Sequence, residues 1–130
     1  MSGRGEITVT GPRSADDVWD RYVRPRRWPE WSPQIRSVDY ATEYLLAGTG
    51  GVVHGPAGLL VRFRIVEVDD AAAIRRWSWI ATTAGVTLRL GHTVEAVGTG
   101  TRTGLTVEGP SLVVAGYLPV ARLALHRLVH

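Results

Sequence analysis

The sequence predicts an α+β fold: a curved antiparallel sheet of six to seven strands around a long C-terminal helix, with two short helices after the first strand. Three observations carry this. Apolar and polar residues alternate through most of residues 35–109, as in strands with one buried and one wet face. Val114, Tyr117, Leu118, Ala121, Leu125 and Leu128 repeat at helical spacing, which gives the last segment one apolar stripe. A helix and a one-faced sheet of this kind bury their apolar sides against each other.

The elements follow in order. Glu6–Thr10 alternates with Ile7 and Val9 on one face and reads as the first strand. Gly11-Pro12 breaks it. Ser14 then caps a helix whose first turn holds Asp16 and Asp17, favourable to the helix dipole. Ala15, Val18, Trp19, Tyr22 and Val23 form its buried stripe, and Pro25 stops it. The proline-rich stretch Trp28-Pro29-Glu30-Trp31-Ser32-Pro33 suits one short helical turn with two projecting indoles.

Strands are expected near Ile35–Ala41, Gly51–His54, Leu59–Val68, Ile74–Ala81, Val86–Val97 and Thr101–Glu108, joined by short Gly-rich or acidic turns. Leu59, Val61, Phe63 and Ile65 share a face opposite Arg62 and Arg64. Val86, Leu88, Leu90, His92, Val94 and Ala96 share one opposite Thr87, Arg89, Thr93 and Glu95. Gly109-Pro110-Ser111 opens the last helix, and Pro119 should kink it by removing the bond to the Ala115 carbonyl.

Length and composition bound the function. The chain of 130 residues fits a single domain, 1–130, with a core large enough to fold without metal or disulfide. A hydrophobic fraction of 45% against 21% charged excludes wholesale disorder. The absence of cysteine excludes disulfides, thiolate metal sites and thiol catalysis, and it suits a cytoplasmic location. All fifteen basic residues are arginine, which fits the coding bias of a GC-rich bacterial genome. The net charge of +3 raises nucleic-acid binding, but the arginines are scattered and only Arg24, Arg26 and Arg27 cluster. A phosphate-tracking stripe is missing, so nucleic acid is not an expected partner. The polar start, Met1 to Glu6, does not read as a signal peptide. The longest uncharged apolar run, Leu112 to Ala121, is too short for a membrane span and contains Pro119.

The order of elements resembles the helix-grip fold of the START-like (SRPBCC) superfamily, which includes polyketide cyclase/dehydratase-like proteins. The residues that carry the resemblance are Ser14-Ala15-Asp16-Asp17-Val18-Trp19 leading into Trp28-Pro29-Glu30-Trp31-Ser32-Pro33. Gly48-Thr49-Gly50-Gly51, the strand from Phe63 to Asp69 and Trp77-Ser78-Trp79 follow. The resemblance covers essentially the whole chain. It implies a deep apolar cavity between sheet and C-terminal helix that takes a lipid, a polyketide or an aromatic metabolite. It also implies aromatase/cyclase activity in some members, carried by a few polar cavity residues. A fold does not fix a function.

The candidate site follows from strand parity. His92 lies among inward apolar residues. There its imidazole could move a proton in an aldol or dehydration step, or anchor a carbonyl or hydroxyl. The other reading is a core histidine bonded to a backbone carbonyl or to Tyr117. Trp77 and Trp79 on one strand face, with Trp28 and Trp31, could form an aromatic wall or simply fill the core. Phe63 and Leu90 are inward by parity. Tyr117 belongs to the buried helix stripe, and His54 shares parity with Val52 and is placed inward with it. Arg62 and Arg64 fall on the wet face, which leaves Arg75, beside the two tryptophans, as the one arginine that could face inward.

No metal or cofactor is expected. His126 and His130 have ligand spacing but no carboxylate joins them. Gly48–Gly51 lacks the lysine and helix of a phosphate loop, and no G-x-S-x-G elbow occurs. Three functions stay open: a binder of a small hydrophobic molecule, a cyclase/dehydratase-like enzyme using His92, and a homodimer built on the apolar first half of the last helix.

Overall fold

A computed structural model describes residues 1–130. Its strands are β1 (Ser2–Gly11), β2 (Ser37–Asp39), β3 (Gly50–His54), β4 (Leu60–Asp69), β5 (Arg75–Thr83), β6 (Val86–Val97) and β7 (Gly100–Pro110). Its helices are α1 (Ala15–Val23), α2 (Trp28–Trp31) and α3 (Ser111–Val129). The strands form one antiparallel sheet in the order β1-β7-β6-β5-β4-β3-β2. From β2 to β7 each strand pairs with its successor, and β1 closes on β7 along its whole length. The α+β helix-grip architecture is the one expected.

Local chemistry explains where the boundaries fall. Ser14 caps α1 by accepting from the Asp17 amide at 3.3 Å. The two-residue turn between β5 and β6 has positive φ at both Ala84 and Gly85, the twist that joins strands most tightly. In β4 the pairing slips between Ile65 and Glu67. This bulge turns Glu67 outward and brings Val68 opposite Trp77 on the core side.

Three expectations need correction. β2 is shorter than Ile35–Ala41, because Ile35 still closes a turn on the Ser32 carbonyl and Tyr40 turns away to bond Thr49 and the Leu46 amide. Ala96 is exposed despite its parity, because it sits near the β6–β7 hairpin tip beyond the packed helices. β1 begins at Ser2 instead of Glu6. Its inward positions read Gly3, Gly5, Ile7, Val9 and Gly11, so the first half carries no apolar signal.

Those glycines decide how α3 sits. A helix of nineteen residues and a strand of ten both span roughly 30 Å, and α3 runs along β1 from end to end. Leu118 lies on Gly5, where an added Cβ would stand 2.8 Å from its side chain. Gly11 meets the Val129 carbonyl and side chain so closely that a Cβ there would overlap both. The helix therefore rests almost on the β1 backbone, while aromatic side chains hold it off β4, β5 and β6. The packing is a wedge. Gly11→Ala is expected to lift the end of α3 and destabilise the protein by about 1–3 kcal/mol in urea unfolding; an unchanged midpoint would refute this seating.

The C-terminal end of α3 is fully capped. The last carbonyls of a helix have no partner within it. Here the His126 carbonyl accepts from His130 Nδ1 at 2.8 Å, and those of Arg127 and Leu128 from Arg21 Nη1 at 3.0 and 2.6 Å. The Val129 carbonyl accepts from the Arg13 amide at 3.0 Å. Arg21 is buried, and its Nε lies 3.6 Å from Glu30. By length and composition α3 is apolar enough to cross a bilayer, but Val114, Ala121, Ala124, Leu125, Leu128 and Val129 are buried in the core. Leu112 and Leu123 stay exposed on its other side.

Candidate functional site

The thick end of the wedge is a cavity of about 250 Å³. Its floor is the inner face of β5 and β6, with Trp77, Trp79, Ala81, Leu88, Leu90 and His92. Its roof is α3, with Val113, Tyr117, Val120, Ala121, Ala124 and Leu125. Trp28, Trp31, Gln34 and Ile35 close one side. Leu59 and Val120 line it while remaining 46% and 39% exposed, which marks the mouth between the β3–β4 loop and α3.

The aromatic wall is fixed by hydrogen bonds outside the cavity. Trp28 Nε1 donates to the Tyr22 carbonyl at 2.7 Å, and Trp31 Nε1 to the Arg21 carbonyl at 3.1 Å. These bonds hold the short α2 against the end of α1 and spare both indoles an unpaired buried N–H. Trp28 packs on Trp77 and Trp79 with ring centroids 5.8 and 5.3 Å apart. His92 stacks on Trp77 at 4.4 Å with planes 8° apart.

The hydrogen bonds around His92 determine its proton. Trp79 Nε1 can only donate, and it reaches His92 Nε2 at 3.0 Å, so Nε2 is the acceptor. The ring hydrogen therefore sits on Nδ1 and is donated to the Tyr22 hydroxyl at 3.2 Å. Tyr22 donates to Thr103 Oγ1 at 2.6 Å, and Thr103 to the Thr93 carbonyl at 2.9 Å. Every group in this chain is satisfied with the imidazole neutral. Burial lowers the His92 pKa to about 3, and it raises that of Tyr22 above its ordinary value.

Tyr117 is different. Its side chain lines the cavity, no hydrogen bond engages its hydroxyl, and burial raises its pKa to about 12. It is a neutral, unused donor. Two lining residues also carry buried polar atoms without a partner, Gln34 Oε1 and Trp77 Nε1.

Of the residues expected at the site, Trp28, Trp31, Trp77, Trp79, Leu90, His92 and Tyr117 meet in one cavity. His54 does not. The register sets Val53 opposite Val61 on the inner face, so His54 points outward and bonds Asp39 Oδ2 at 2.7 Å. Phe63 is inward but lies behind the wall, 5.3 Å from Trp28 and 5.7 Å from Trp79. Gly51 opposite leaves it the room: a Cβ there would meet the Phe63 ring at 2.6 Å. The hydroxyl that meets His92 belongs to Tyr22, not Tyr117, because α1 crosses β6 beside the imidazole. Arg75 turns away from the cavity to bond Asp16 Oδ1 at 2.6 Å beside Trp19. Gln34 was invisible to pattern reading, since a polar residue after Pro33 reads as ordinary loop. His126 and His130 stack on each other, and no three metal-ligating side chains converge.

A curved sheet gripping a helix over an apolar cavity defines a class of ligand-binding folds, and the comparisons agree. The chain belongs to the polyketide cyclase / dehydrase and lipid transport family, which it matches over residues 3–129. Members of this START-like group generally bind hydrophobic ligands. A search of curated proteins finds no match to the sequence. Among solved structures, hypothetical protein jhp0584 from Helicobacter pylori is similar with a TM-score of 0.78 and 18% identity, over 99% of this chain and 86% of that one. Protein MLL2253 from Mesorhizobium loti gives 0.82 and 12% identity over 97% and 93%. Major latex-like protein 151 from Panax ginseng gives 0.74 and 15% over 98% and 95%. At these identities the likeness is one of fold.

Proposed function

We propose that this protein binds a small hydrophobic molecule in the cavity beneath α3 and acts as a carrier or sensor of it. The observation that carries the reading is the lining: 19 of its 23 residues are hydrophobic, around about 250 Å³ of space. An apolar cavity of roughly 150 Å³ is enough for benzene, so this one has room for a compact molecule of one or two rings. A two-chain lipid would have to leave much of its length outside the mouth.

An enzyme reading centred on His92 has less support. Both ring nitrogens are engaged within the wall, by Trp79 and by Tyr22. A proton-transfer step would have to break one of those bonds, and the lowered pKa opposes charging the ring.

Native mass spectrometry of the purified protein, before and after organic-solvent extraction, tests the binding reading. A bound small molecule should leave on extraction and stabilise the protein when returned. At a hundred times its dissociation constant the gain is about 2.7 kcal/mol. No adduct, and no thermal shift with any apolar ring compound or lipid, would count against the proposal.

A further inference from the structure

We infer that the ligand is an uncharged ring compound bearing an oxygen that hydrogen-bonds the Tyr117 hydroxyl, and not a carboxylate, phosphate or amine. This rests on the cavity being the binding site and names the chemistry it selects.

The lining contains no Arg, Asp or Glu, and the sequence has no lysine. The one histidine in it is neutral and committed at both nitrogens. A charged group brought into such a space loses its hydration and gains no counter-charge. The arginine that shares the strand parity of Trp77 and Trp79, Arg75, bonds Asp16 instead. Anionic and cationic ligands are thus rejected by desolvation.

Among uncharged ligands the cavity still discriminates. Its polar groups are mostly used up: Trp28, Trp31 and Trp79 donate their indole N–H elsewhere, and Thr83 donates to the Leu60 carbonyl. The Tyr117 hydroxyl is left without a partner inside a water-poor wall. Gln34 Oε1 and Trp77 Nε1, on two of the lining residues, also lack partners, but both atoms are sealed from contact. Unmet buried polar groups are costly, so a ligand that satisfies one gains over a pure hydrocarbon of the same shape. A hydroxyl or carbonyl on the ring meets the need, and the flat Trp77–Trp79 floor suits the ring itself.

The experiment uses three probes on one ring frame: naphthalene, 1-naphthol and 1-naphthoate, titrated into the intact protein and into Tyr117→Phe. Wild type should bind 1-naphthol about two- to tenfold more tightly than naphthalene, and 1-naphthoate at least about a hundredfold more weakly than 1-naphthol. Tyr117→Phe should erase the naphthol preference, and naphthalene still binding to it reports that the variant is folded. Should the variant fail to fold, the wild-type ranking decides. Equal binding of naphthoate and naphthol, no naphthol preference in wild type, or a preference that survives Tyr117→Phe overturns the inference. If none of the probes binds, naphthalene included, the cavity reading itself fails.

Discussion

Between pH 6.5 and pH 4 the protein is expected to lose stability faster than a His92→Gln variant, by about 1.4 kcal/mol for each pH unit. The cause is the buried neutral imidazole. In the unfolded chain a histidine takes up its proton near pH 6.5, whereas in the fold burial lowers the His92 pKa to about 3. Across that window the unfolded state holds the extra proton, so acid favours unfolding. The contribution is complete above pH 6.5 and is lost as the pH falls toward 3. The carboxylates titrate in both proteins, so the difference between the two urea-unfolding series isolates His92. Glutamine keeps one donor and one acceptor for the partners Tyr22 and Trp79. Parallel pH profiles for the two proteins would show that His92 titrates normally and that burial does not hold it neutral.

The second large effect is expected at Arg21. Replacing it by methionine should cost about 2–4 kcal/mol: two hydrogen bonds from a charged group, each contributing roughly 1.5–3 kcal/mol, are lost, and relief of the buried cation's desolvation offsets part of this. The Arg127 and Leu128 carbonyls would keep their negative helix-end charge without the cation that offsets it. Arg21 is itself an uncomfortable cation. Burial and then the charge of Arg13 push its pKa below the ordinary arginine value, and the Glu30 carboxylate offsets part of this. Its cost in isolation is the reason it contributes only while the helix end is in place. Lysine at this position should restore a part of the loss, because a single ammonium lacks the guanidinium's fork. Amide exchange should quicken most in the last turn of α3. A change below about 0.5 kcal/mol would place Arg21 among ordinary surface residues.

The fold was legible because its signals are periodic. Strand alternation from β3 to β7, the Ser14 cap and the stripe of α3 each follow from spacing alone. The start of β1 was not, because its inward positions are glycines chosen for what lies against them and not for burial of their own. The aromatic wall was legible from parity on β5 and from the indoles of α2. His54 was misplaced because a five-residue strand ending in Gly55-Pro56 offers two parities, and only the pairing with β4 selects one. The Tyr22 partnership and the Arg21 cap join residues 70 or more positions apart. Contacts of that kind leave no mark on local sequence.

The full capping of α3 at one end divides the labour of the helix. From Ala121 onward its inward side chains are held by the core and its last carbonyls by Arg21, Arg13 and His130. Val113, Tyr117 and Val120, in the first half, face the cavity and bear little of that load. Substitutions there alter the shape and polarity of the site while the anchored half keeps the fold above its stability threshold. A lineage carrying this chain can thus change what it binds one side chain at a time without passing through an unfolded ancestor.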